Sequence, residues 1–185
     1  CEKCGIMGVS MKIIGITGGV GTGKTQVLSY IEAHYKCRVI RADEAAHRLY
    51  EPGQACYQKL AALLGQEVLN ADGTINKAEM AKRIFHDKAL LERVNSIVHP
   101  EVKRYILAEI AHEQEKGITE YFFIEAALLI EEQYDQIVDE MWYVHSDVAV
   151  RKKRLAESRQ YSAQKIADIM QGQLSEEAFR THCQV

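Results

Sequence analysis

The sequence predicts a three-layer α/β/α sandwich built around a parallel sheet. Short apolar, β-branched runs recur along the chain, and stretches with helical spacing separate them. One run, "EYFFIEA" at 120–126, has almost no polar residue on either face, as expected of a strand covered by helices on both sides. At 185 residues, with 47% hydrophobic and 26% charged, the chain has enough apolar material for one full domain and a small inserted part.

The elements follow in order. Lys12–Thr17 reads as a buried strand and Lys24–Tyr35 as a helix with Val27, Leu28 and Ile31 on one face. "CRVIRAD", 37–43, is a second strand ending at Asp43. Residues 44–50 and 55–64 read as helices separated by "EPG", "NADGT" as a turn, and 75–85 as a helix with Ile75 at its start. Residues 87–115 form a long helical region interrupted near Pro100. The run at 120–126 is the third strand and "EMWYVHS", 140–146, the fourth. Helices at 147–158 and 162–171 follow, the second capped by Ser162, and "SEEAFRTHC" opens another with a Ser-x-x-Glu-like start. The helices between Asp43 and Gly117 are too many for one crossover, so the expected division is a core of 11–43 and 118–149, a helical cap at 44–117 and a lid at 150–172.

Several function classes drop out. A net charge of −3 with interspersed signs argues against a nucleic-acid scaffold. The longest apolar run, 121–130, contains Glu125 and falls short of the roughly 20 residues needed to span a bilayer. Five scattered cysteines indicate reduced thiols and a cytosolic protein. Cys1-x-x-Cys4 lacks a second pair that would make a zinc site. "MKIIGITGG" from Met11 looks like a natural start, and 1–10 read as an extension. No feature demands a protein partner.

The motif that carries chemistry is Gly18-Gly19-Val20-Gly21-Thr22-Gly23-Lys24-Thr25, which fits G-x-x-x-x-G-K-[ST] between a strand and a helix. Glycines let successive N–H groups turn inward around an anion, and the helix start adds its dipole. Residues Gly19–Gln26 are the expected cradle for ATP, with Lys24 near the β- and γ-phosphates and the Thr25 hydroxyl a ligand for Mg²⁺. The predicted fold is thus that of a P-loop NTPase. Asp43, at a strand's carboxyl end, is placed to accept a hydroxyl proton and aim its oxygen, or to cap the helix that follows.

Residues 11–185 resemble the dephospho-CoA kinase family. The resemblance rests on "GITGGVGTGKT", "VIRADEAAHRLYEPG", "DGTINKAEMAKRIF", "NSIVHPEV", "IEAALLIEEQYD" and "IMQGQLSEEAFR". It implies phosphorylation of the ribose 3′-hydroxyl of dephospho-CoA by ATP, with Asp43 as the catalytic aspartate. Where the family usually has a second aspartate, this chain has Arg41, and Glu125-Ala126-Ala127-Leu128-Leu129 replaces Asp-x-Pro-Leu-Leu. Glu125 either holds a Mg²⁺-bound water or a substrate group, or is a buried acid with a partner. His99 and Leu128 are candidate acceptor contacts; His99 reads equally as a helix-end histidine. Among Arg151, Lys152, Lys153, Arg154 and Arg159, the expected lid arginines are Arg154 and Arg159, then Arg151, because guanidinium binds phosphate oxygens bidentately. Lys152 and Lys153 read as a solvated face. Tyr50, Tyr57 and Phe85 are open as either core or groove. The family continues past residue 185 with a strand near the adenine. The rival readings are another small-molecule or nucleoside monophosphate kinase of the same superfamily, or a nucleotide-dependent switch, against which no Asn-Lys-x-Asp motif is present.

Overall fold

Strand β1 (Lys12–Thr17) is apolar at nearly every position because both of its edges and both of its faces are covered. It lies inside a four-stranded sheet of order β2–β3–β1–β4, where β2 is Cys37–Arg41, β3 Tyr121–Glu125 and β4 Glu140–Tyr143. β1 runs parallel to β3, with Ile14 opposite Phe123 and Ile16 opposite Glu125, and parallel to β4, with Ile16 opposite Trp142. The computed structural model describes residues 10–85 and 87–185. Residues 1–9, with Cys1-x-x-Cys4, lie outside that range.

Helix α1 is Lys24–His34, and its buried Leu28 and Ile31 pack with Ile14, Ile16 and Phe123. The remaining helices are α2 (Ala42–Leu49), α3 (Tyr57–Leu64), α4 (Lys77–Phe85), α5 (Lys88–Lys116), α6 (Val148–Arg159), α7 (Ala163–Gln171) and α8 (Glu176–His182). Ser162 and Ser175 cap α7 and α8, accepting from the N–H groups of Lys165 and Ala178. The third residue of α8 is Ala178, so the capping box suggested by the sequence is only half built. Beyond α8, Gln184 donates its N–H to the Met141 carbonyl and the Val185 carbonyl accepts from Tyr143, along the outer edge of β4. Contacts divide the chain into two units, one from Ser10 to Ile40 with Glu113–Val185 and the other Arg41–His112.

Two expectations need correction. The second strand ends at Arg41, because Ala42, Ala45 and Leu49 turn a helical face inward and Asp43 and Glu44 sit favourably in its first turn. The long helix runs unbroken through Pro100. Proline in a helix interior costs about 3 kcal/mol. Val94, Val98, Val102, Ile106 and Ile110 form a stripe buried to within 6% exposure, and each contributes roughly 1.5–3 kcal/mol. The stripe outweighs the break. Among the described residues, no helix is long and apolar enough to cross a membrane.

Candidate active site

The loop Gly18–Gly23 leaves β1 and enters α1 at Lys24. At Gly18, φ is +143°, and an added Cβ would stand 2.5 Å from the Val144 carbonyl oxygen, so only glycine fits. Buried Thr22 ties the loop to itself, its hydroxyl donating to the Gly19 carbonyl at 2.9 Å. Lys24 folds back over the loop and donates to the Gly18 carbonyl at 2.6 Å. Thr25 and Gln26 lie exposed in the first turn of α1.

Because β3 is the neighbour of β1, its last residue arrives beside this loop. The Glu125 carboxylate lies 3.9 Å from the Lys24 ammonium, both side chains less than a fifth exposed. Glu125 thus has the loop's own lysine beside it, at the edge of the loop. In the turn that follows, Leu128 is exposed while Leu129 is fully buried.

Helix α6 brings two arginines onto the loop. Arg151 Nε donates to the Val20 carbonyl at 2.9 Å, and Arg151 Nη2 to Gln173 Oε1 at 2.7 Å. The same Gln173 oxygen accepts from the Val20 N–H at 3.2 Å. Arg154 Nη1 donates to the carbonyls of Gly21 at 3.3 Å and Thr22 at 3.0 Å. Arg159 lies eight residues beyond Arg151, about 12 Å further along the helix axis, where it ends α6 in solvent. Lys152 and Lys153 are exposed, Lys153 near Glu157. Sequence reasoning ranked Arg151 third and missed Gln173. The residue lay in "IMQGQLSEEAFR", but one glutamine after a helix-ending glycine carries no spacing signal.

Of the candidate acceptor residues, Asp43 and His99 belong to the 41–112 unit, and Leu128 to the other. Asp43 is the second residue of α2, exposed and not its cap; Arg41 holds the cap position and approaches Glu44 at 4.0 Å. His99 is half-buried in the middle of α5, not at a helix end. Tyr50 is core: burial pushes its hydroxyl up to about 12, with smaller contributions from Cys56 and Asp43. The Tyr57 hydroxyl donates to the Gly73 carbonyl, and Phe85 is exposed.

Such a loop, with a lysine over it and arginines on its carbonyls, is built for polyphosphate. A family model described as dephospho-CoA kinase matches residues 12–185. The chain belongs to the dephospho-CoA kinase family. A dephospho-CoA kinase of Listeria monocytogenes is 38% identical over 146 residues, covering 79% of this chain and 72% of that one. One from Dehalococcoides mccartyi is 32% identical over 166 residues, covering 90% and 82%. A crystal structure from Thermus thermophilus matches with TM-score 0.78 at 25% identity, covering 94% of this chain and 85% of the other. A Campylobacter jejuni dephospho-CoA kinase matches with TM-score 0.61 at 15% identity over 94% and 86% of the two chains, and supports the fold alone. The α/β architecture of the P-loop kinases, expected from the sequence, is the one found.

The described residues contain no group of three or more His, Cys, Asp or Glu able to hold a metal by themselves. A magnesium ion does not require one. It commonly uses one or two protein oxygens and completes its shell with phosphate and water. The exposed Thr25 hydroxyl and the Glu125 carboxylate suit that donor set.

Proposed function

We propose that this protein transfers the γ-phosphoryl group of ATP to the ribose 3′-hydroxyl of dephospho-CoA, giving CoA and ADP. The observation that carries the reading is the convergence of Lys24, Arg151 and Arg154 on one glycine loop in a chain of this family. The loop's N–H groups and the start of α1 bind the phosphates. Lys24 exchanges the Gly18 carbonyl for phosphate oxygen, and its distance from Glu125 keeps the ammonium oriented. Arg154 and Arg151 stabilise the charge that spreads over the transferring group. Thr25, with Glu125 through water, would hold Mg²⁺, which offsets charge on the β- and γ-phosphates when bound. Arg159 is given no phosphate contact in this reading.

Asp43 is proposed as the base. Its carboxylate accepts the 3′-hydroxyl proton as that oxygen bonds to the γ-phosphorus and the bond to the ADP oxygen breaks. His99 and Leu128 are proposed to contact the acceptor. The chemistry is positioning and electrostatics, with no covalent intermediate.

The test is ADP release measured across dephospho-CoA, nucleoside monophosphates and simple alcohols, repeated with Asp43→Asn. Turnover is expected with dephospho-CoA. The variant should bind ATP normally and turn over on the order of 10²–10⁴-fold more slowly. Preference for a nucleoside monophosphate would reassign the acceptor, and ATP binding without transfer to any acceptor would favour a switch. Unchanged turnover in Asp43→Asn would remove that residue from the mechanism.

A further inference from the structure

The peptide groups of one loop residue, Val20, are held from outside the loop at both ends. Its N–H donates to Gln173 Oε1, its carbonyl accepts from Arg151 Nε, and Arg151 Nη2 closes the ring by donating to the same Gln173 oxygen. Three separate segments meet there: the loop after β1, the first turn of α6, and the connection between α7 and α8. Both Gln173 and Arg151 are half-buried. Gly19 makes room for them, since a Cβ at that position would lie 2.2 Å from Arg151 Nη2 and 2.7 Å from Gln173 Oε1. Here the glycine serves the approach of two side chains as well as the approach of phosphate.

The chemistry of position 173 is specific. One oxygen accepts from two donors, one of them cationic, and bonds to a charged donor are the stronger kind. An apolar residue would leave both donors without that acceptor. A glutamate would keep the oxygen and pair directly with Arg151. The ring uses two of the five guanidinium N–H groups, and three lie outside it. A loop whose apex is fixed before the ligand arrives avoids the ordering cost of binding.

We infer that Gln173 is a positioning residue for nucleotide binding: through its carboxamide oxygen it sets Val20 and Arg151 in the arrangement that the triphosphate meets. The inference rests on reading Gly18–Thr25 as the ATP site. It requires that losing the acceptor weaken ATP more than the acceptor substrate, and that Gln173 act through Arg151.

The experiment uses the whole chain and compares wild type with Gln173→Leu, Gln173→Glu, Arg151→Leu, the Gln173→Leu/Arg151→Leu double variant and Lys24→Ala. Steady-state kinetics, ATP binding by calorimetry and thermal melting are recorded for each. Gln173→Leu is expected to raise KM and Kd for ATP about tenfold, the scale of one charge-assisted hydrogen bond. KM for dephospho-CoA and the melting temperature should stay near wild type. Gln173→Glu should return ATP affinity to within about threefold of wild type, and the double variant should be no weaker than Arg151→Leu by more than about threefold. Unchanged ATP affinity in Gln173→Leu, a fall in melting temperature with both KM values unmoved, or additive losses in the double variant would overturn the inference. Lys24→Ala separates it from the underlying reading: if that variant binds ATP as wild type does, the loop is not the nucleotide site at all.

Discussion

Replacing Gly18 and Gly19 in turn by alanine should give two different failures from adjacent positions. At Gly18 the backbone has φ of +143°, a region that costs a residue with a Cβ roughly 1–3 kcal/mol. The new methyl would also lie 2.5 Å from a backbone oxygen, that of Val144. Val144 cannot easily retreat, because its own N–H is bonded to the Thr17 carbonyl at 3.0 Å. Crowding of this kind adds roughly 1–3 kcal/mol. A total near 3 kcal/mol lowers Tm by about 6–12 °C in a chain of this size. At Gly19 the methyl would meet only the tips of Arg151 and Gln173, which can swing aside. The expected loss is below about 1 kcal/mol, or under about 4 °C, with weakened ATP binding because the two side chains leave Val20. Thermal melts followed by circular dichroism, with ATP titrations on the same samples, read both quantities. Equal Tm values for the two variants, or a larger drop at Gly19, would refute the argument from backbone against side-chain obstruction.

Two further outcomes are expected. Arg154→Ala removes the donor to the Gly21 and Thr22 carbonyls and a charge from the phosphate site; ADP release should slow on the order of 10²–10³-fold, with Tm within about 2 °C because the side chain is exposed. Glu113, buried at the end of α5, is held below the usual carboxylate range by the Lys116 ammonium and then the Thr119 hydroxyl, despite the opposing effect of burial. A depressed folded-state value stabilises above the unfolded value near 4.5 and loses that stabilisation as pH falls through the folded one. Wild type should therefore melt higher than Glu113→Gln at pH 7, by about 2–4 °C for one such network, and the gap should narrow as pH falls below 4.5; a constant gap would count against the linkage.

The sheet was legible because its strands are short apolar runs whose neighbours have a different period. The phosphate loop was legible because its residue types have no cheaper explanation. The boundary at Asp43 was misread because "VIRAD" suits the end of a strand and the start of a helix alike; buried Ala45 and Leu49, spaced for a helix, decide it. The break at Pro100 was misread because a local penalty is visible in sequence and the summed burial of a five-residue stripe is not. The lid was harder. Arg151, Leu155 and Arg159 share a helix face, so periodicity cannot say which arginine reaches the loop; distance along α6 does. Gln173 could be found only once the ring around Val20 was visible.

The order of the strands decouples nearness in space from nearness along the chain. Lys24 and Glu125 face each other because β1 and β3 are adjacent, although 101 positions of chain separate them. That pairing depends on register within the sheet, such as Ile14 against Phe123, and not on the length or content of what is inserted between. A change in the length of the helical segment from 42 to 112 would therefore leave Lys24 and Glu125 facing each other for as long as the β1–β3 register is kept.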